Sequence, residues 1–328
     1  MKKKIKWGII GAGVISHAFV NDFKYMKNAE LVAIAARDVE KAKSFASKYN
    51  IPRALSYDEL YSSNDIDAVY IATIHNFHFE QAMKCLQNNK AVLCEKPITV
   101  NDREFKELMQ LSKTNNLFLM EAMWTYFLPA IHKAKAWVDE GRIGKLKIIQ
   151  ADFAYPMEKN FEGRMYNPWL AGGSLLDLGI YPIALNYYFT NRNPLKITAI
   201  ADMTNTGVDE SVSMSFQYGD VMALSSSSII TRMTNVGRIF GETGYIEIPD
   251  FWRAYSCKLY DMDYNLSDSF EDGRESHGFI YEMQHANDLI LAGEHESPIM
   301  THARSNAIQE TLNEVRHQIG LKYPLEKY

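Results

Sequence analysis

The apolar hexapeptide Ile5–Ile10 (IKWGII) runs straight into Gly11-Ala12-Gly13, and no other feature of the chain limits its fold as strongly. A short buried strand, a glycine turn and then a helix open a βαβ unit of the kind that binds dinucleotides. Gly11 and Gly13 permit the tight turn and let a pyrophosphate approach the helix N-terminus, where Val14 and Ile15 begin the helix. Ser16 stands where the usual fingerprint has its third glycine, and it is small enough for helix and strand still to pack. G-x-G alone is common; its place between a strand and a helix gives it weight.

The pattern continues. Apolar runs at Glu30–Ala36, Ala68–Thr73, Lys90–Cys94 and Phe118–Glu121 alternate with helical spacing at Val39–Tyr49 and Phe79–Asn88. A third helix carries Phe105, Leu108, Met109 and Leu111 and is capped by Asn101 or Asp102. Near-continuous apolar strands joined through helices predict a doubly wound parallel sheet, a Rossmann domain over residues 1–122. After Trp124 the pattern changes. The helix Leu128–Glu140 is followed by alternating strands at Leu146–Tyr155, Ile197–Met203, Val212–Tyr218, Val221–Ile230, Gly237–Phe240, Tyr245–Ile248 and Lys258–Tyr264. Helical segments lie at Gly173–Phe189, Phe279–Ala292 and His302–Ile319. Residues 123–328 therefore read as an α+β substrate-binding and dimerisation domain on a large, mostly antiparallel open sheet. The fold class is α/β in the first part and α+β in the second.

Composition removes several functions. Among 328 residues 47% are hydrophobic and 23% charged, an ordinary globular balance, and the net charge of −5 leaves no footprint for nucleic acid. No apolar stretch reaches a membrane span and the first residues lack a signal-peptide core, so a cytoplasmic protein is expected. Cys85, Cys94 and Cys257 have neither disulfide nor zinc spacing, and no metal is expected.

Cofactor choice is read where the second strand ends. An acid there suits the ribose hydroxyl of NAD, whereas an arginine suits the 2′-phosphate of NADP. Arg37 is the first residue past the strand and favours NADP; Asp38 leaves NAD open, or caps the next helix. Further on, Glu95-Lys96-Pro97 follows the strand Lys90–Cys94, so Lys96 falls at the carboxyl edge of the sheet, where ligands bind in open α/β folds. Pro97 stops the strand and makes its peptide bond a candidate for the cis form.

With these residues assembled, the chain resembles the glucose–fructose oxidoreductase / inositol dehydrogenase family (Gfo/Idh/MocA), and within it the branch of dimeric dihydrodiol and NADP-dependent D-xylose 1-dehydrogenases. The likeness runs nearly end to end, through His75–His78 (HNFH), Leu117–Phe127, Ala171–Tyr181 (AGGSLLDLGIY), Thr206–Asp209 (TGVD) and Leu312–Gly320. It implies an NAD(P)-dependent dehydrogenase moving hydride between nicotinamide and a ring hydroxyl or hemiacetal of a sugar or cyclic diol. Lys96 would hydrogen-bond the reacting oxygen beside the nicotinamide. Asp177 and Tyr181, four positions apart, match the positions where many relatives have aspartate and histidine. Tyrosine at 181 is chemically sensible: beside an ammonium group a phenol ionises more easily and can take the substrate's proton. Pro182 sits awkwardly if the segment is one continuous helix.

Thr73, His75, His78 and Glu95 are expected, with Lys96, along the cofactor, His75 towards the substrate. Trp124, Phe153, Trp169, Trp252 and Phe279 suit the apolar face of a ring, and Arg164 would add a polar contact. A homodimer through the second sheet is expected, since its strands carry apolar residues on both faces. An NAD-dependent polyol or inositol-type dehydrogenase, and a cofactor-sensing regulator without catalysis, are the alternatives.

Overall fold

The computed structural model describes residues 4–326. Along the chain the first elements are β1 (Ile5–Ile10), α1 (Val14–Phe23), β2 (Ala29–Ala35), α2 (Val39–Tyr49), β3 (Arg53–Leu55), α3 (Tyr57–Ser62), β4 (Ala68–Ile71), α4 (His78–Gln87), β5 (Ala91–Glu95), α5 (Asp102–Asn115) and β6 (Leu119–Ala122). There follow α6 (Pro129–Asp139), β7 (Leu146–Ala154), α7 (Ile180–Thr190), β8 (Lys196–Met203), β9 (Asp209–Gln217), β10 (Met222–Ser228), β11 (Val236–Gly241), β12 (Gly244–Pro249), β13 (Ser256–Asp261), β14 (Leu266–Glu271), α8 (Phe279–Ala292) and α9 (His302–Ile319).

The chain divides into two compact units: Met1–Trp124 with Arg274–Asn306, and Thr125–Gly273 with Ala307–Tyr328. The first is built on six strands in the order β3-β2-β1-β4-β5-β6, all parallel. Val69, Ile71, Val92, Cys94 and Leu119 of its strands are buried against Phe105 and Leu108 of α5 and Ala82 and Leu86 of α4. Each large side chain so buried contributes roughly 1.5–3 kcal/mol. α5 starts where Asn101 accepts the Glu104 N–H at 3.0 Å, which settles the choice of cap.

One expectation needs correcting. The α8 segment, expected within the second domain, packs in the first unit. Asp22, buried on α1, accepts the N–H groups of His277, Gly278 and Phe279 at 2.9 Å each and so caps the N-terminus of α8. Trp7 on β1 donates to Asn287 at 3.0 Å. These are pairings across more than two hundred residues, and no local pattern announces them. β3 and α3 were also missed, being three and six residues long.

The second unit carries an eight-stranded sheet, β14-β13-β12-β11-β7-β10-β9-β8. Every neighbouring pair is antiparallel except β7 with β10. One sheet face is covered by α6, α7 and the segment before α7. The other is open, and the register lines Met222, Ile148, Phe240, Tyr245 and Tyr260 into one row across five strands. Polar β14 forms the exposed edge and went unrecognised because its alternation carries little apolar contrast. No helix among the described residues is long and apolar enough to cross a membrane.

Candidate functional site

In the first unit the carboxyl ends of β1, β4 and β5 gather the residues singled out from the sequence. Gly11 has φ +106°, and a Cβ there would lie 2.7 Å from the Ala72 carbonyl, so only glycine fits. The buried Ser16 hydroxyl donates back to Gly11 O at 2.7 Å, which ties the loop down where a third glycine is usual. Gly13 caps α1 without a side chain, and a Cβ there would meet nothing nearer than Ala72 O at 3.9 Å. The first N–H groups of α1 are thus left to a ligand, and Val14 is 89% exposed beside them, with Ile15 half-buried. That is a fit for a pyrophosphate. At the end of β2 Arg37 is exposed, while Asp38 caps α2 by accepting the Glu40 N–H at 3.0 Å.

Around the lysine turn the structure is more specific than the sequence. The Lys96–Pro97 bond is cis. Lys96 itself is half-buried between buried neighbours. His78, expected to face the cofactor, is fully buried, with Nδ1 2.8 Å from Pro97 O and Nε2 3.2 Å from Thr73 O. Burial, then the neighbouring His75, pushes its pKa down to about 4, so the ring is neutral and has one N–H to donate. The shorter contact, to Pro97, is that hydrogen bond. His78 therefore acts on the lysine turn. His75 is buried on the single turn His75–Phe77, its ring edge-on to His78 with centroids 5.8 Å apart. Thr73 donates to Gln81 at 2.7 Å.

Glu95 accepts a hydrogen bond from the Tyr70 hydroxyl, and its Oε2 faces the Lys96 N–H at 3.3 Å. Glu121 on β6 accepts the Ile98 N–H at 3.0 Å. Trp124 and Phe279 stack with centroids 4.5 Å apart. Neither Glu121 nor the deeply buried Glu282 was singled out from the sequence. A charged residue inside the apolar run Phe118–Glu121 was the available signal for the first.

In the second unit the segment Gly173–Phe189 is helical from Ser174 onward, as expected, but not uniformly α-helical. Leu175–Gly179 is a π-turn and α7 starts at Ile180. Pro182 falls just after the π-turn, whose wider spacing interrupts the regular ladder in which a proline ring would clash with the Leu178 carbonyl. Asp177 is buried and held by Arg164 through two contacts, Nη1–Oδ1 at 3.2 Å and Nη2–Oδ2 at 3.1 Å. Arg164, expected to touch substrate, is thus engaged by Asp177, whose charge raises the guanidinium pKa. Tyr181 is buried edge-on to Phe153, centroids 5.3 Å apart, and Phe153 stacks on Trp252 at 4.9 Å. Tyr155, which the sequence reading passed over, completes the group edge-on to Phe153 at 5.6 Å. Trp169 lies on the turn Pro168–Leu170 and is 57% exposed.

The π-turn has its own anchor. Asp209 of β9 is fully buried and accepts the Ser174 hydroxyl at 2.8 Å and the Leu175 N–H at 2.6 Å. Gly173, at φ +109°, makes room: a Cβ there would lie 2.1 Å from Asp209 Oδ1. All three cysteines are free and buried, and no group of three His, Cys, Asp or Glu among the described residues could hold a metal ion.

A six-stranded parallel sheet with an open glycine-bound helix N-terminus defines a dinucleotide-binding protein, and comparison with known proteins narrows the class. Residues 5–123 match the oxidoreductase family with an NAD-binding Rossmann fold, and residues 131–247 match the C-terminal domain of the same Gfo/Idh/MocA group. The chain belongs to this family. It is 38% identical over 332 residues to trans-1,2-dihydrobenzene-1,2-diol dehydrogenase of Xenopus tropicalis, covering 97% of this chain and 99% of the relative. Its identity to the Mus musculus enzyme of that name is 34% over 339 residues, 98% of this chain and 99% of the other. Among solved structures, a 3-ketoreductase from Actinomadura kijaniata in complex with NADP and TDP-benzene has the same fold, with TM-score 0.87, 24% identity and coverage of 97% and 98%. So does an aldose-aldose oxidoreductase from Caulobacter crescentus complexed with glycerol, with TM-score 0.87, 21% identity and coverage of 96% and 97%. The protein is an oxidoreductase and binds a nicotinamide dinucleotide.

Proposed function

We propose that this protein is an NADP-dependent dehydrogenase that oxidises, reversibly, a secondary or hemiacetal hydroxyl on the ring of a sugar or cyclic diol. The observation that carries the reading is the Tyr181 phenol, set among Phe153, Tyr155 and Trp252, four positions after an anchored Asp177. Stacked aromatic faces take the apolar side of a ring, and a tyrosine beside them, ionised to its phenolate, can take a hydroxyl proton. The full-length relatives named for a cyclic dihydrodiol support the substrate class.

Bound at the glycine loop, the nicotinamide dinucleotide would accept the hydride. Gly11, Gly13 and the N-terminus of α1 would hold its pyrophosphate, and Arg37 would pair with the 2′-phosphate while Asp38 stays committed to α2. The NADP in the ketoreductase of like fold agrees with this choice. Lys96 donates to the oxygen that becomes a carbonyl, and Tyr181 takes its proton as hydride leaves. Asp177 orients the substrate, itself oriented by Arg164.

The protein works in the cytoplasm as a homodimer. The open face of its eight-stranded sheet presents Ile148 at 41%, Leu224 at 45% and Met222 at 52% exposure, and Tyr245 stacks on Phe240 and Tyr260 in the same row. A second copy of that face is the proposed partner. The residues 1–122 and 123–328 keep their expected division of labour, cofactor and substrate, with α8 added to the first.

The test is turnover of trans-cyclic diols and aldoses with NADP, in wild type and Tyr181→Phe. Loss of the phenol should lower kcat by about 10²–10⁴-fold while NADP affinity stays. Near-normal turnover in Tyr181→Phe would send the proton elsewhere and sink the mechanism.

A further inference from the structure

We infer that Glu121 is a positioning residue for Lys96: its carboxyl group fixes the turn that carries the lysine and supplies a counter-charge to the ammonium. The inference rests on the role proposed for Lys96.

β5 and β6 are parallel neighbours, with Cys94 opposite Glu121 and Glu95 opposite Ala122. A side chain at 121 therefore stands beside the residues that leave β5. Glu121 is 1% exposed, and its Oε1 accepts the Ile98 N–H at 3.0 Å. From the other side His78 donates to Pro97 O at 2.8 Å. The Lys96-Pro97-Ile98 turn is thus clamped at both ends of the Pro97–Ile98 peptide group by two buried side chains from different elements. A neutral residue such as glutamine would serve for the backbone bond alone. Selection of a carboxylate in the core is costly unless its charge has a use.

The charged groups facing Glu121 supply that use. From the end of β5 they are Lys96, which favours the carboxylate, and Glu95, which opposes it. From α9 the Ser305 hydroxyl favours it, and His302 bonds Leu119 O two residues back along β6. Burial outweighs the favourable contacts and pushes the Glu121 carboxyl up to about 7. Glu121 therefore gains its charge around neutral pH. Above that pH Lys96 has a buried anionic neighbour; below it, the neighbour is neutral.

The Ile98 amide reports this directly, because it donates to the carboxyl that titrates. The experiment follows the ¹⁵N shift of Ile98 against pH in the NADP-loaded full chain, in wild type and in Lys96→Met. The expected midpoint is near 7 in wild type and higher in Lys96→Met, where the favourable cation is gone. An ordinary carboxylate midpoint, or one that Lys96→Met leaves unmoved, overturns the inference. A Lys96→Met protein that stays active with a shifted midpoint would instead refute the catalytic reading of Lys96 and leave the pairing standing. Glu121→Gln adds a kinetic readout. It keeps the acceptor for Ile98 but not the charge, so kcat should fall with KM for NADP unchanged, and the inflection near pH 7 should vanish. A wild-type pH profile in that variant also overturns the inference.

Discussion

Replacing Asp209 by asparagine tests how the segment bearing Asp177 and Tyr181 is held. Asp209 is fully buried, and burial pushes its carboxyl from 3.8 up to about 6, against the lowering effect of the Ser174 hydroxyl and the Leu175 N–H. Because the folded pKa lies above the unfolded one, the folded chain holds its proton more tightly. The contribution to stability is full below the unfolded pKa, falls as pH rises, and is gone once the pH has passed about 6. A rise of about two units corresponds to about 3 kcal/mol. Asparagine has no such dependence and changes the local hydrogen bonds by an amount independent of pH. Urea unfolding of both proteins between pH 4 and pH 8 isolates the effect, since all other titrating groups are common to both. Relative to wild type, Asp209→Asn should gain about 2.5 kcal/mol over that range, nearly all of it below pH 7. Parallel profiles would show that the Asp209 charge is not desolvated, and the account of this anchor would fall.

Three further outcomes are expected. Gly173→Ala should cost more than about 2 kcal/mol, read as a fall in the urea midpoint, because φ +109° strains any side chain and the new Cβ meets Asp209 Oδ1 at 2.1 Å; an unchanged midpoint refutes the packing. Arg37→Ala should lower kcat/KM for NADP roughly 10-fold or more and leave NAD nearly unaffected, as the loss of a charge-assisted contact of about 1.5–3 kcal/mol requires; an unchanged NADP/NAD ratio means that another group reads the phosphate. Ile148→Glu, placed in the open row between Met222 and Phe240, should give a folded monomer by light scattering where wild type is a dimer; a wild type already monomeric at micromolar concentration removes the proposed interface.

Local sequence determined a good deal. The periodicities at Val39–Tyr49, Phe279–Ala292 and His302–Ile319 coincide with α2, α8 and α9 to the residue, because amphipathic spacing and caps are written within a few positions of each other. The glycine loop and the lysine after β5 were legible for the same reason: their placement follows from a strand ending and a helix beginning. Tertiary structure decided what distant residues do to one another. Asp22 claims α8 for the first unit through three N–H groups more than two hundred and fifty residues away. Asp209 was visible only as the end of a short motif, and its work depends on Ser174 and Leu175 meeting it in a dry core. Arg164 is as polar in sequence as any substrate contact, yet in the fold the Asp177 carboxylate lies within its reach. His78 reads as a cofactor-pocket residue at the start of a helix; the fold buries it and sets its Nδ1 2.8 Å from Pro97 O, on the lysine turn. Periodicity records which face of an element is buried; burial of a charge and the partner that meets it depend on which elements the fold brings together, and no local pattern encodes that.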